Sequence, residues 1–216
     1  MRAAFAEELQ FITDQLVEMS RLAASALSRA TQSALECDLE LAERVITEDE
    51  HLDAVRRDLD NRAVDVLARQ QPVATDLRTV VTAMRMSSDL ERMGDLARHV
   101  AKLTRLRYPA SPVPEPLRDV IVPMSEHGER ISRMAGDAIA QQDELGAARL
   151  HQEDEAIDRL HREVFARMLS PDWTLDAQAT IDATLLGRYY ERFADHAVSV
   201  GERVVYLVTG EWGRGL

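Results

Sequence analysis

The acidic residues best placed to do chemistry in this chain occur in two copies. Glu91 and Asp95 are four residues apart, and the same pair returns 100 residues later as Glu191 and Asp195. Carboxylates at positions i and i+4 project from one face of a helix. Two carboxylates near an apolar seam repel each other and are poorly solvated, so they require a cation, an arginine or protonation.

A second acidic segment is repeated at an offset of 105 residues, Glu48-Asp49-Glu50 with Asp53 returning as Glu153-Asp154-Glu155 with Asp158. The apolar pattern of each helix places Glu48 or Asp49, and Glu153 or Asp154, on or beside its buried side. If these side chains reach the acidic pairs, three or more carboxylates converge in each half. Such oxygen-rich clusters without cysteine favour hard or borderline cations and have room for more than one ion.

The residues alone leave two explanations for these carboxylates equally open. Charged residues make up 30% of the chain, and arginines are abundant enough to pair with the acids instead of a metal. A ferritin-like di-iron centre is weakened as an alternative, because Glu48-x-x-His51 has the required spacing but its copy, Glu153-x-x-Ala156, lacks the histidine. No serine lies in a glycine elbow and no glycine-rich phosphate loop is present, so we predict a protein without catalysis.

Long amphipathic helices must position these residues. Apolar residues at alternating steps of four and three predict a first helix that ends near Glu36. Asp38 is expected to cap a second helix, which Pro72 ends because proline cannot continue it. Thr75 or Asp76 is expected to cap a third helix, which carries the first acidic pair.

The second half repeats this order of helices. A fourth helix contains Pro123, which is expected to kink it or to set its start. A fifth helix follows Asp143, and a sixth begins near Leu175 or Asp176 and ends at Gly210, a natural C-cap. The pattern shows no alternating strand, so we predict an all-α fold of six long helices.

The chain is predicted to be an internal duplication of a three-helix bundle. Ser20–Ala24 returns as Ser132–Gly136, and four of the seven prolines lie just after the third helix. This divides the chain into a repeat at 1–108, a proline-rich extended linker at 109–116 and a second repeat at 117–216. Small residues that allow close helix approach recur in the third and sixth helices: Ala83, Ser87, Gly94, Ala97 and Ala183, Gly187, Ala194, Ala197.

The charge balance restricts the partners. The formal net charge is −12, which repels phosphate backbones and acidic membrane surfaces, so we expect no nucleic-acid binding. No stretch is long and apolar enough to span a bilayer, so we expect no membrane insertion. Cys37 is the only cysteine, and no signal-peptide pattern opens the chain. Both observations favour a cytoplasmic protein.

Four sequence stretches, two in each half, together resemble the motifs of the PhoU family. In the first half the resemblance rests on Gln71-Pro72-Val73-Ala74-Thr75-Asp76-Leu77-Arg78 and Asp89-Leu90-Glu91-Arg92-Met93-Gly94-Asp95. In the second half it rests on Glu191-Arg192-Phe193-Ala194-Asp195-His196 and on residues 204–211. The motifs occur in order and at matching spacing over nearly the whole chain.

The resemblance implies a non-enzymatic regulator of phosphate uptake and phosphate-starvation signalling. Such a protein links the ATPase subunit of a phosphate ABC transporter to a sensor histidine kinase and represses the response. The resemblance also implies multinuclear clusters of iron, zinc, manganese or magnesium on the acidic positions, which here are Glu91, Asp95, Glu191, Asp195, Asp49 and Asp154.

Two other functions remain possible at this point. One is a di-metal carboxylate oxidase or metal-storage bundle, and the other is a structural scaffold whose acidic pairs are only salt-bridged. The long helices and small-residue stripes are compatible with a monomer or a homodimer.

Overall fold

The computed structural model describes residues 2–211, with side chains from Phe5 onward, and this part of the chain is all-helical without a β-strand. The all-α fold of two three-helix bundles is confirmed. Met1 and Leu216, the outer limits of the predicted repeats, lie outside the described residues. The helices are α1 (Arg2–Glu36), α2 (Leu39–Gln70), α3 (Thr75–Arg107), α4 (Arg118–Gln141), α5 (Glu144–Ala148), α6 (Leu150–Met168) and α7 (Ala177–Thr209), with a 3-10 turn at Glu115–Leu117.

Several predicted helix ends are confirmed by cap hydrogen bonds. The Asp38 side chain accepts from the Leu41 amide at 2.9 Å, and Asp176 accepts from the Ala179 amide at 2.9 Å. These side chains satisfy amide groups that the first helical turn leaves unpaired. Gly210 ends α7 with φ +77°, a backbone conformation that glycine adopts without a steric penalty.

The predicted side-chain cap of α3 is wrong. The N-cap is Ala74, with φ 50° and ψ −117°, and neither Thr75 nor Asp76 caps the helix with its side chain. The physical reason is that backbone carbonyls satisfy the first amides of the helix. The Asp76 amide donates to the Val73 carbonyl at 3.2 Å, and the Arg78 amide donates to the Ala74 carbonyl at 3.0 Å.

The predicted fifth helix begins at its expected cap but is interrupted. Asp143 accepts from the Leu145 amide at 3.1 Å, yet α5 ends at Ala148 and α6 begins only at Leu150. The break brings the chain close to α7 at Gly201, where an added Cβ would lie 3.1 Å from the Ala147 carbonyl oxygen.

The proline-rich connection forms turns and packs against the protein, with the Ala110 amide donating to the Arg107 carbonyl at 2.8 Å. Pro112, Val113 and Pro114 are buried, and the Ser111 hydroxyl donates to the Ala34 carbonyl at 2.6 Å. The connection therefore places the start of α4 against the end of α1. Pro123 lies inside α4 and does not set its start.

The two halves meet through matching helices, α1 with α4 and α3 with α7. The repeated motifs of α1 and α4 pack on each other: the Ser132 hydroxyl donates to the Ser20 carbonyl at 2.8 Å, and Gly136 lies against the Ser20 side chain. Nearby, the fully buried Tyr190 hydroxyl lies 2.7 Å from the Thr31 hydroxyl.

The remaining long helices flank this central layer, α2 against α1 and α3, and α6 against α4 and α7. The seams α2–α3 and α6–α7 therefore carry the repeated acids. No helix in the described part of the chain is long and apolar enough to cross a lipid bilayer.

Two unequal acidic clusters as the candidate functional site

The first acidic cluster, which we define as Asp49 and Asp53 on α2 with Glu91 and Asp95 on α3, lies where these helices approach closely. Asp49 and Asp95 are each only 8% exposed. A Cβ at Gly94 would lie 2.9 Å from Leu52 Cδ1 and 3.2 Å from Asp49 Oδ1. Glycine at this position therefore lets α2 bring its carboxylate against the α3 pair.

Arginines contact three carboxylates of the first acidic cluster. Arg98 reaches both helices, with Nη1 2.6 Å from Asp49 Oδ2 and Nη2 in contact with Asp95 Oδ1. Arg92 Nη1 lies 2.6 Å from the other Asp95 oxygen. On the same face, Arg56 of α2 pairs with Glu91 at 3.0 Å. The cluster is therefore a carboxylate–guanidinium network that joins α2 to α3.

The arginines do not fully offset the burial of these acids. Burial raises the pKa of Asp49 from 3.8 to about 6, with Arg98 opposing this rise and the charges of Asp53 and Asp95 adding to it. Burial also raises the pKa of Glu91, and the Arg56 guanidinium partly opposes it. Ionising Asp49 and Glu91 is thus disfavoured even with three arginines present.

The second acidic cluster is the equivalent set in the second half: Asp154 and Asp158 on α6 with Glu191 and Asp195 on α7. Arg188 Nη1 lies 2.5 Å from both Glu191 carboxylate oxygens. Asp154 Oδ1 is buried and has no hydrogen-bond partner. Asp195, unlike its buried counterpart in the first half, is exposed.

The second acidic cluster is less well neutralised. Burial raises the pKa of Asp154 from 3.8 to about 6, and the charges of Asp158, Asp195 and Glu191 add to this rise. Burial, followed by the charge of Asp195, raises the pKa of Glu191, and Arg188 partly opposes it. No arginine is among the principal influences on Asp154, whereas Arg98 acts on its counterpart Asp49.

A histidine lies beside the second acidic cluster. His161 packs against α7 at Gly187, where an added Cβ would lie 3.0 Å from its Cδ2. Its Nε2 is buried without a hydrogen-bond partner. Burial lowers the pKa of His161, and the charge of Arg188 lowers it further, so the imidazole is neutral near pH 7.

The structure separates Glu48 and Glu153 from the clusters. Glu48 pairs with Arg29 of α1, and Glu153 accepts from Arg130 of α4 at 3.3 Å and contacts His127 Nδ1 at 2.6 Å. Each glutamate adjoins the clustered aspartate in sequence, and successive helical residues point about 100° apart. Of the alternatives that the apolar pattern left open, the structure therefore selects Asp49 and Asp154.

Sequence reasoning passed over several residues of the two clusters. Asp53 and Asp158 were part of the repeated segment, and their helical spacing from Asp49 and Asp154 was a usable signal. Neither Arg98 nor His161 had such a signal in the sequence, because their contacts with the neighbouring helix depend on how the helices pack. His196, which adjoins Asp195 in sequence, instead lies with Nδ1 3.1 Å from Asp89 Oδ1 on α3.

The two clusters differ in how well they fit the metals that the resemblance implies. Within the described residues, no group of three or more histidine, cysteine, aspartate or glutamate side chains is arranged to hold an ion. In the first acidic cluster, the Arg98 guanidinium already lies between the carboxylates of Asp49 and Asp95. In the second, Asp154 Oδ1 and His161 Nε2 are each buried without a hydrogen-bond partner, and carboxylate and imidazole are donor types that manganese, iron and zinc accept.

Curated relatives resemble this chain over its full length. It is 41% identical over 210 residues to the phosphate-specific transport system accessory protein PhoU homolog 2 of Mycobacterium tuberculosis, which covers 97% of this chain and 99% of that protein. It is 40% identical over 212 residues to the PhoU homolog 1 of Mycobacterium leprae, covering 98% of this chain and 96% of the relative.

Solved structures and a family model agree with these relatives. The crystal structure of PhoU from Pseudomonas aeruginosa matches with a TM-score of 0.83 at 27% identity, covering 96% of this chain and 100% of that one. The PhoU structure from Streptococcus pneumoniae, at 24% identity, shows the same fold with a TM-score of 0.84 and covers 98% and 100%. The model of the PhoU domain matches residues 16–104 and 121–204. The resemblance read from the motifs is confirmed, and the chain belongs to the PhoU family.

Proposed function

We propose that this protein regulates phosphate uptake and the phosphate-starvation response as an adaptor without catalysis of its own. It would bind the ATPase subunit of a phosphate ABC transporter and a sensor histidine kinase, and would act in the cytoplasm, where those domains lie. The observation that carries the proposal is 41% identity over 97% of the chain to a protein named as a phosphate-specific transport system accessory protein.

The electrostatics of the two clusters support a role in binding. Asp49 and Asp154 have pKa values raised to about 6, so near pH 7 each half holds a carboxylate whose ionisation costs free energy in the folded protein. A cationic group placed against them relieves that cost. Together with the net charge of −12, this favours a partner with a basic patch and an association that weakens as salt increases.

Regulation in this proposal is a difference in affinity. A protein that binds one signalling state of its partner better than another shifts that partner between states without chemistry. A metal bound to Asp154, Glu191 and Asp195 would supply positive charge at the seam between α6 and α7. Those residues would hold the ion and present the remaining acidic surface to the partner.

The test replaces the acidic pair of the second half by neutral side chains of the same shape. Glu191→Gln with Asp195→Asn is compared with wild type for repression of a phosphate-starvation reporter and for binding to the purified kinase and ATPase between about 50 and 500 mM salt. We expect the variant to lose repression and most of its salt-dependent binding. The matched control is Glu155→Gln, an exposed acid on α6.

Two results would contradict the proposal. One is normal repression by the double variant, which would show that the acidic pair is not the functional site. The other is the absence of a complex between wild-type protein and either partner at every salt concentration, which would refute the adaptor role itself.

One observation favours the alternative of a di-metal oxidase or metal-storage bundle. His161 adds an imidazole to the carboxylates of the second acidic cluster, and mixed imidazole–carboxylate donors suit iron. This alternative predicts stoichiometric iron and oxygen consumption when ferrous iron is added, which an oxygen electrode measures. The adaptor proposal predicts no oxygen consumption.

A further inference from the structure

We propose that Arg98 is a built-in cation of the first acidic cluster and closes it to metal, so that the two halves of this protein are not equivalent metal sites. Metal binding is thereby confined to the second acidic cluster. The inference goes beyond the proposed function, because it concerns which half accepts an ion and does not depend on what the protein regulates.

The geometry of Arg98 is that of a bridging cation. Its guanidinium contacts Asp49 on α2 at 2.6 Å through one nitrogen and Asp95 on α3 through the other. Both carboxylates are 8% exposed, so little water competes for them. Arginine keeps its charge at any pH at which a protein folds, so the cation of this bridge is always present.

The balance of charge differs between the halves. Three arginines, Arg98, Arg92 and Arg56, contact three of the four carboxylates of the first acidic cluster. Among the described residues, only Arg188 forms an ion pair with the second acidic cluster. The formal charge of the carboxylates and their arginines is therefore −1 in the first half and −3 in the second.

The duplication shows where this difference arises. The position that matches Arg98, 100 residues later, is Val198, and the position that matches Arg56, 105 residues later, is His161. Valine carries no charge, and His161 Nε2 is buried without a hydrogen-bond partner, so neither side chain replaces the ion pairs that the two arginines make in the first half. The second half therefore has the same acids without two of the cations. Asp154 Oδ1 and Asp49 Oδ2 are both buried without a hydrogen bond, but Asp49 Oδ2 has the Arg98 guanidinium 2.6 Å away, whereas no arginine forms an ion pair with Asp154 among the described residues.

A metal ion entering the first acidic cluster would have to displace Arg98. The guanidinium would lose its charge-assisted hydrogen bond to Asp95 and its ion pair with Asp49, and it would remain close to a divalent ion of the same sign. In the second acidic cluster, an ion displaces no side chain from Asp154 or Asp195. The difference in affinity follows from this competition and not from a difference in the acids.

The experiment titrates chelator-treated full-length protein with Mn²⁺ and counts bound ions by electron paramagnetic resonance and isothermal calorimetry. In wild type, we expect Asp154→Asn to abolish binding and Asp95→Asn to leave it unchanged. We expect Arg98→Val to add a second class of site, close to one further ion per chain, which Asp95→Asn in the same chain removes. The control Arg98→Lys keeps the charge and should add none.

Three outcomes would overturn the inference. The first is that Asp95→Asn weakens Mn²⁺ binding by wild type as much as Asp154→Asn does. The second is that Arg98→Val gains no ion, whether or not wild type binds one. The third is that Arg98→Lys gains as many ions as Arg98→Val. If thermal unfolding shows that Arg98→Val does not fold, the comparison of the two asparagine variants decides alone.

Discussion

Replacing Asp154 by asparagine should stabilise this protein, although it removes a residue of the candidate site. Asp154 is the member of the second acidic cluster with an unpaired buried oxygen, and its pKa is raised from 3.8 to about 6, chiefly by burial. The folded state therefore holds the proton more tightly than the unfolded state does. Asparagine has the same shape and removes the charge that the fold disfavours.

The size and sign of the effect follow from this pKa. A carboxyl whose pKa is raised by folding contributes stability that is fully present below 3.8 and is lost as pH rises through about 6. Since each tenfold change in proton affinity is worth about 1.4 kcal/mol, the full loss would be about 3 kcal/mol at pH 8. Water still reaches part of this carboxylate, so we expect Asp154→Asn to gain about 1–2 kcal/mol there.

Urea unfolding between pH 4 and pH 8, with a chelator present, measures this gain. It should be small near pH 4, grow as pH rises through about 6 and level off above that. Glu155→Gln, at an exposed neighbouring position, should stay within about 0.5 kcal/mol of wild type throughout. Loss of stability in Asp154→Asn at pH 8, or a gain that does not change with pH, would refute the reasoning.

Three further substitutions test the packing and backbone of the fold. Ala74→Gly should raise the free energy of unfolding by about 1 kcal/mol in urea, because φ 50° with ψ −117° strains alanine; a loss would contradict this. Gly136→Ala should lose about 1–3 kcal/mol, since its Cβ would lie 2.2 Å from Ser20 Oγ, and Ser20→Ala should recover much of the loss in a double-mutant cycle. Tyr190→Phe should lower the free energy of unfolding by about 1 kcal/mol, because it removes the hydroxyl contact with Thr31. Thermal unfolding measures this loss, and an unchanged melting temperature would contradict the prediction.

Local sequence determined most of the helical framework. The steps of three and four, and the caps Asp38, Asp176 and Gly210, act within one helical turn, so they can be read without knowing the fold. The start of α3 could not be predicted in this way, because nothing about Ala74 indicates a positive φ. The break at Arg149 also lacks a local breaker and coincides with close packing of α5 on α7.

The candidate site was predictable as a set of repeated acids but not as two unequal environments. Recurrence identified Glu91, Asp95 and their copies, and helical spacing determines which neighbouring acid shares their seam. The role of Arg98 depends on the rotation of α3 against α2, which brings Asp49 within 2.6 Å of it. The sequence pattern of a single helix does not predict how that helix is rotated against its neighbour.

The contact between Ser20 and Ser132 has a consequence for how this architecture arises. These serines are the same position of the duplicated unit, and one meets the other across the junction of the halves. A surface that binds its own copy in this way is isologous, the kind of face that forms two-fold symmetric dimers. A single unit of three helices would therefore present a self-complementary face, and fusion of two such units converts a dimer whose halves must be identical into one chain whose halves are free to diverge.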